Sequence, residues 1–419
     1  MTGSWSYERA ERHLRSLELF GMRFGLDRMH RLMTALEAPQ RRFESIHVVG
    51  TNGKSSTARM IAAILERHGR RAGAYLSPHL VSFTERVQVS GRPVGEGQFA
   101  AAVQRAAHAA ELVDRTLAEG DRVTQFELLT AAAYVELARS GVDVAVIEAG
   151  LGGRFDATNV IPSRVQVLTN IGLEHTRWLG PTVVDIAREK LAVVREGATL
   201  VVGPLDAEVA AEARAAAARE RARLVAAGEE GAELPLAARG SFQRRNFALA
   251  RAAAEAFVGE LDPAAVAAVA AEVTVPGRCE VVAENPLTIY DGAHNPAGMQ
   301  ALVESLPELA VGTPTVAVLS ILDDKDAAGM LGALLPACDA VVFTASSNAR
   351  ALPPPTLQSL ARQLGFERQA EPAPEPDPSR AVRRARELAG EDGVVLATGS
   401  IYLVADLARS PGALRASLP

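Results

Sequence analysis

The chain has 419 residues, 48% hydrophobic and 22% charged, the balance of a globular protein with core enough for two or three domains. Its formal net charge of -6 argues against the basic footprint of a nucleic-acid binder, while leaving room for a locally basic pocket. Cys279 and Cys338 lie far apart without CxxC spacing, so neither a zinc site nor a disulfide framework is expected, and a reducing, cytoplasmic setting fits.

The opening MTGSWSYERAERHLRS carries early charges and no apolar stretch, so no signal peptide is expected. The most apolar runs, such as residues 394 to 407, are broken by Thr, Gly, Ser and Asp, and no membrane span is expected. Residues 6 to 38 read as a helical preface through Leu14, Leu17, Leu19, Leu26, Met29, Leu32, Met33 and Leu36, ending at Pro39. Ile46, Val48 and Val49 then form a short buried strand. GTNGKSS follows, opening a helix marked by Met60, Ile61, Ile64 and Leu65 and stopped by Gly69.

A strand, a glycine turn and a helix N-terminus make a phosphate cradle, because freed backbone N–H groups and the helix dipole point at the anion. Lys54 adds a positive charge for the terminal phosphates, and Ser55 is placed to put a hydroxyl on Mg²⁺. The full Walker pattern needs glycine where Val48 stands; Gly50 comes three residues before Gly53, so the loop is a shortened form. This stretch predicts a nucleoside triphosphate site and leaves its reaction open.

Residues 75 to 89, with Pro78, predict a surface loop leading into a strand. An Ala-rich helix is expected over 99 to 119 and another over 126 to 139, stopped by Gly141. Val142, Val144, Val146 and Ile147 make a strand too apolar for one-sided burial, as in a parallel sheet covered on both faces, and Glu148 ends it. Further strands are expected over 165 to 169 and 200 to 203. Residues 207 to 230 read as a solvated helix and loop. These elements predict an α/β, doubly wound P-loop ATPase domain over residues 1–275, with its site at the strand carboxyl ends. A second, smaller Rossmann-like α/β domain is expected over residues 276–419, from strands at 287 to 290, 315 to 321, 340 to 344 and 394 to 398. The proline-rich EPAPEPDP at 371 to 378 reads as an exposed loop.

Ser77 and His79, Glu148, His175 and Lys190 gather at these strand ends. A lone acidic strand end often just caps or faces water; a carboxylate, an imidazole and hydroxyls converging on a phosphate edge suit Mg²⁺, which takes oxygen ligands. GTNGKSS, YLSPHL, EAGLGGRFDATN, NIGLEHTRWLG, EK, PGR, DGAHNP, DDKD and TGSIYL occur in that order from about residue 25 to 405. In these motifs the chain resembles the folylpolyglutamate synthase and dihydrofolate synthase family of the Mur ligase superfamily.

The resemblance implies an ATP-dependent ligase that joins L-glutamate to a folate-type acceptor, folate or dihydropteroate, through an acyl phosphate. It implies ATP and Mg²⁺ as cofactors, a monovalent cation such as K⁺, a carbamate on Lys190, and a monomer with neither nucleic acid nor membrane as partner. Lys54, Glu148, His175 and Lys190 are the implied catalytic group. Gly50, Thr51, Asn52, Gly53, Lys54, Ser55, Ser56, Asn246, Arg278 and Asp291 are implied in nucleotide binding, with Asp291 on the ribose. Ser55, Ser56, Ser77, Glu148, His175 and Lys190 are implied in holding metal, and Arg86, His294 and Ser400 in binding glutamate.

Three departures stand out. Ser55 replaces the glycine of the family's usual GKGS and restores the hydroxyl of a standard Walker loop. Leu191 follows Lys190 where alanine is usual, and Phe242 precedes Gln243 where histidine is usual. Two other readings compete: a peptidoglycan-type ligase, for which the 45 or so residues before the loop leave no nucleotide-sugar domain, and a P-loop switch ATPase, which lacks an NKxD signature and has no use for DGAHNP. The ligase chemistry itself explains Mg²⁺ and Lys54. Two anions meeting at about 4 Å repel by roughly 4 kcal/mol even at an effective dielectric of 20.

Overall fold

The computed structural model describes residues 3–18, 25–228, 234–309 and 314–409; Leu19 and the last positions of the 207 to 230 stretch lie outside them. The chain divides into two compact units, Met1–Leu234 with Arg245–Val269, and Pro235–Arg244 with Ala270–Pro419.

In the first unit the strands are β1 (Glu44–Val49), β2 (Ala72–Tyr75), β3 (Val87–Val89), β4 (Arg92–Pro93), β5 (Val144–Glu148), β6 (Val165–Leu168), β7 (Thr199–Val202) and β8 (Arg223–Ala226). They form one sheet in the order β4-β3-β2-β5-β1-β6-β7-β8. Pairing is parallel from β2 to β8, and β3 and β4 add an antiparallel edge. Every residue of β5 and all but the first of β1 are buried, so helices cover both faces. Register sets Val48 beside Glu148 and Val49 beside Leu168. The turn after β1 therefore opens between the carboxyl ends of β5 and β6, and that position makes the site.

The sequence pattern passes over β2, the two-residue β4 and β8 in this unit, and β9 (Glu280–Glu284) in the second. β2 is AGAY, three small residues of which Gly73 packs closely on the Leu137 side chain. β8, RLVA, has three apolar residues but is largely exposed, and it puts a strand in the stretch expected to be a solvated helix and loop. The preface is two helices, Tyr7–Ser16 and Asp27–Ala35, and the second ends where Glu37 and Ala38 turn to positive φ. The Ala-rich helix runs Glu96–Asp114, starting earlier than its apolar pattern because Gln98 caps the Gly95 N–H at 2.9 Å.

Arg28, from the second preface helix, is 8% exposed and donates to Glu127 Oε1 at 3.0 Å and Asp121 Oδ1 at 3.0 Å. Glu127 also accepts the Thr124 N–H at 2.9 Å, closing the cap of helix Gln125–Arg139. Removing one partner strands a buried charge, so Arg28→Met is expected to cost about 3–5 kcal/mol. Urea unfolding followed by far-UV dichroism should show this as an earlier first transition.

The second unit is built on β9 (Glu280–Glu284), β10 (Leu287–Tyr290), β11 (Thr315–Leu319), β12 (Ala340–Phe343) and β13 (Val394–Thr398), in the order β12-β11-β13-β10-β9. β9 runs antiparallel to β10 and the others are parallel. Residues 371 to 377 carry no regular structure, and the helix Pro378–Ala389 follows with Asp377 as its cap.

Candidate active site

The phosphate loop is shaped by two close approaches. Gly50 sits at φ +148°, where any Cβ would collide with Thr169 Oγ1, and Gly53 at φ +82°, where a Cβ would collide with Asn246 Oδ1. Only glycine fits either place. The helix Lys54–Arg67 starts directly after Gly53, and its first backbone bond is Thr57 N–H to Gly53 O at 2.9 Å. The N–H groups before Thr57 thus lack intrahelical partners by geometry, as an anion site requires. Lys54 Nζ donates to Gly50 O at 3.1 Å and Thr51 O at 3.0 Å, lying folded over the loop.

Glu148, 2% exposed at the end of β5, accepts a hydroxyl and a backbone N–H. Its Oε1 accepts the Ser55 hydroxyl at 2.8 Å and its Oε2 accepts the Ser77 N–H at 2.9 Å, while Ser77 O lies 3.3 Å from Ser55 Oγ. Ser55 thus faces the carboxylate; Ser56, the next residue of the helix, is 2% exposed. A carboxylate, a hydroxyl and a carbonyl are hard oxygen donors, and few of them are needed where phosphates and waters complete a Mg²⁺ shell. The donor set fits that ion. Among the described residues no group of three His, Cys, Asp or Glu forms a metal cluster.

Lys190 is buried in helix Val183–Leu191 and its Nζ donates to the same Gly50 O at 2.8 Å. Burial, with the Lys54 charge nearby, pushes its amine down to about 7. Leu191 turns away into an apolar cluster with Val49, Ala187 and Val194. Gly153 of the GLGG turn packs on the Lys190 backbone so closely that no Cβ would fit. The adjoining Asp156 accepts the N–H groups of Leu151 at 2.7 Å and Thr158 at 2.9 Å, fixing that turn. His175 is at φ +53°, with its side chain 36% exposed and Glu174 3.7 Å away.

Arg86 is half-buried, its Nε donating to His79 Nδ1 at 2.9 Å and its guanidinium lying over the Phe83 ring. Asn246 is 6% exposed and faces Gly53.

In the second unit Asp291, 2% exposed after β10, accepts the Cys279 N–H at 2.9 Å and the Ala293 N–H at 2.7 Å. Burial raises its pKa. The Arg278 guanidinium lies against Gly292, and its Nη1 donates to Gly277 O at 3.1 Å. His294 Nδ1 donates to Gly292 O at 2.9 Å, so Nε2 is the acceptor of the neutral ring. Ser400, 1% exposed, accepts the Tyr402 N–H at 3.2 Å.

Thr169 and Asn170, which grip the phosphate loop, were not singled out by the sequence. Their signal is a polar pair at the end of a buried strand, and it becomes informative only once β6 is known to neighbour β1.

Residues 48–261 match the Mur ligase middle domain, and residues 277–401 match the Mur ligase glutamate ligase domain. A dihydrofolate synthase/folylpolyglutamate synthase of Mycobacterium tuberculosis is 38% identical over 78% of this chain and 75% of its own length. The structure of Mycobacterium tuberculosis folylpolyglutamate synthase complexed with ADP superposes with a TM-score of 0.89 at 34% identity, over 96% of this chain and 97% of that one. Escherichia coli FolC in complex with DHPP and ADP gives a TM-score of 0.85 at 30% identity, over 96% of each chain.

Proposed function

The chain belongs to the folylpolyglutamate synthase/dihydrofolate synthase family of Mur ligases, and we propose that it joins L-glutamate to a folate-type acceptor with ATP, acting on a reduced folate, dihydropteroate or both. It is an ATP-dependent carboxylate-amine ligase. The observation that carries the assignment of chemistry to this site is the Glu148 carboxylate bound by Ser55 and Ser77 at the mouth of the phosphate loop.

In this reading residues 1–275 bind ATP and 276–419 form the glutamate-ligase domain. The N–H groups at the start of helix Lys54–Arg67 orient the phosphates, and Lys54 leaves its loop carbonyls to meet the terminal ones. Glu148, with Ser55, Ser56, Ser77, His175 and a carbamylated Lys190, would hold Mg²⁺, which when bound neutralises phosphate charge. The acceptor carboxylate attacks the γ-phosphorus as the bond to ADP breaks, giving an acyl phosphate. The glutamate amine then attacks the acyl carbon, losing a proton as phosphate departs. Asp291, Arg278 and Asn246 are assigned to the nucleotide, and Arg86, His294 and Ser400 to glutamate. A monovalent cation such as K⁺ is carried over from the family resemblance, and so is action as a cytoplasmic monomer. Among the described residues no helix is long and apolar enough to cross a membrane.

Phosphate release from ATP with glutamate, tested separately with dihydropteroate and tetrahydrofolate, checks the reading. Glutamate-dependent release with one or both is expected; release with neither would sink it. Glu148→Gln keeps a carbonyl donor but loses the charge that attracts the metal. The Mg²⁺ concentration for half-maximal rate should rise by about tenfold or more, a scale that even outer-shell losses reach. An unmoved Mg²⁺ titration with only a changed melting temperature would make Glu148 a structural strand end.

A further inference from the structure

The shortened loop lacks the first Walker glycine, so something else must set the direction of its peptide groups. Asn170, half-buried just beyond β6, does this for Asn52. Its Oδ1 accepts the Asn52 N–H at 2.9 Å and its Nδ2 donates to Asn52 O at 3.2 Å. Thr169 Oγ1 donates to the same carbonyl at 2.6 Å. The two complementary bonds fix the amide orientation, since only N–H can face the carbonyl oxygen and only oxygen can face the N–H. Alongside, Thr51 N–H donates to Asn170 O at 2.9 Å, and Gly172 N–H donates to Thr51 Oγ1 at 3.0 Å.

The Asn52 carbonyl and the Gly53 N–H belong to one planar trans peptide, so they point in opposite directions. Holding that carbonyl against Thr169 and Asn170 aims the Gly53 N–H away from β6. Gly53 at φ +82° resists a flip of this peptide less than any other residue would. A flip would present a carbonyl oxygen in place of that N–H. We infer that Asn170 is a positioning residue for the nucleotide, locking the Asn52–Gly53 peptide so that an N–H and not a carbonyl faces the phosphates. The inference rests on the assignment of this loop to ATP. It deepens that assignment by naming the group that keeps the loop competent.

Asn170→Asp is nearly isosteric and keeps an acceptor for the Asn52 N–H, but sets an oxygen against Asn52 O and so favours the flip. Asn170→Ala removes the clamp and leaves Thr169 in place. Thr169→Val combined with Asn170→Ala frees the carbonyl entirely. Calorimetric titration with MgADP should show affinity falling by roughly tenfold or more in Asn170→Asp and in the double variant, with Asn170→Ala intermediate, the scale of a lost buried hydrogen bond. The KM for ATP should rise in the same order, while the KM for glutamate stays within about twofold. MgADP binding within about twofold of the parent in a folded Asn170→Asp chain would overturn the inference. So would parallel loss of ATP and glutamate parameters, which marks general collapse. If Asn170→Asp does not fold, Asn170→Ser and the double variant carry the same comparison. A parent chain that fails to bind MgADP overturns the nucleotide assignment itself, and the inference with it.

Discussion

Lys54→Ala should abolish glutamate-dependent ligation in a chain that still folds, with turnover falling by at least about 10²–10³-fold. The loop does not owe its shape to this side chain. Gly50 and Gly53 take positive φ with Thr169 and Asn246 close against them, and the Thr51 and Asn52 peptides are tied to Asn170. Lys54 Nζ only covers Gly50 O and Thr51 O, at 3.1 and 3.0 Å, and water can replace it there. What disappears is a positive charge that strengthens its hold as negative charge migrates to the leaving phosphate, a loss felt in the transition state more than in binding. The expected pattern is therefore an unchanged melting curve, a modest loss of MgADP affinity and a collapse of turnover. Near-normal turnover in a folded variant would remove the nucleotide from this loop.

That expectation could be framed from the sequence because strand, glycine turn and helix are contiguous, and local chemistry writes them in one short stretch. Glu148 was legible for a similar reason: it is an acid closing a run of buried apolar residues. What was not legible depends on who sits beside whom. Asn170 and Thr169 matter because β6 pairs with β1, and strand order is a property of the folded sheet. Ser55 and Ser56 are adjacent on a helix, so they point about 100° apart, and only the placement of β5 decides which one meets Glu148. Strands β2 and β8 were missed since one is built of small residues and the other is an exposed edge. Asp291 came only through the family resemblance of DGAHNP, whereas its grip on the Cys279 and Ala293 N–H groups belongs to the fold.

Lys190→Ala should be inactive, with part of the activity restored by a short carboxylate such as acetate. The warrant is the lysine's position. Its side chain is 5% exposed and its Nζ meets Gly50 O at 2.8 Å, at the root of the phosphate loop and near Lys54. A protonated amine there would repel a bound cation, and two lysines would crowd one carbonyl. A carbamate, as proposed above, would resolve the conflict: the neutral amine would attack CO₂, forming a nitrogen–carbon bond and losing a proton, and the side chain would end in an anionic oxygen pair suited to Mg²⁺. With its amine pushed down to about 7, the lysine supplies that neutral form at ordinary pH, and protonation below it would work against the carbamate. Leu191, which replaces a smaller residue in the family pattern, lies in the apolar cluster with Ala187 and Val194. Native mass measurement should find the added mass of one CO₂, lost on acidification, and activity should fall when CO₂ and bicarbonate are stripped. An unmodified mass together with activity indifferent to CO₂ depletion would make Lys190 a plain cation that contacts phosphate, and acetate would then rescue nothing.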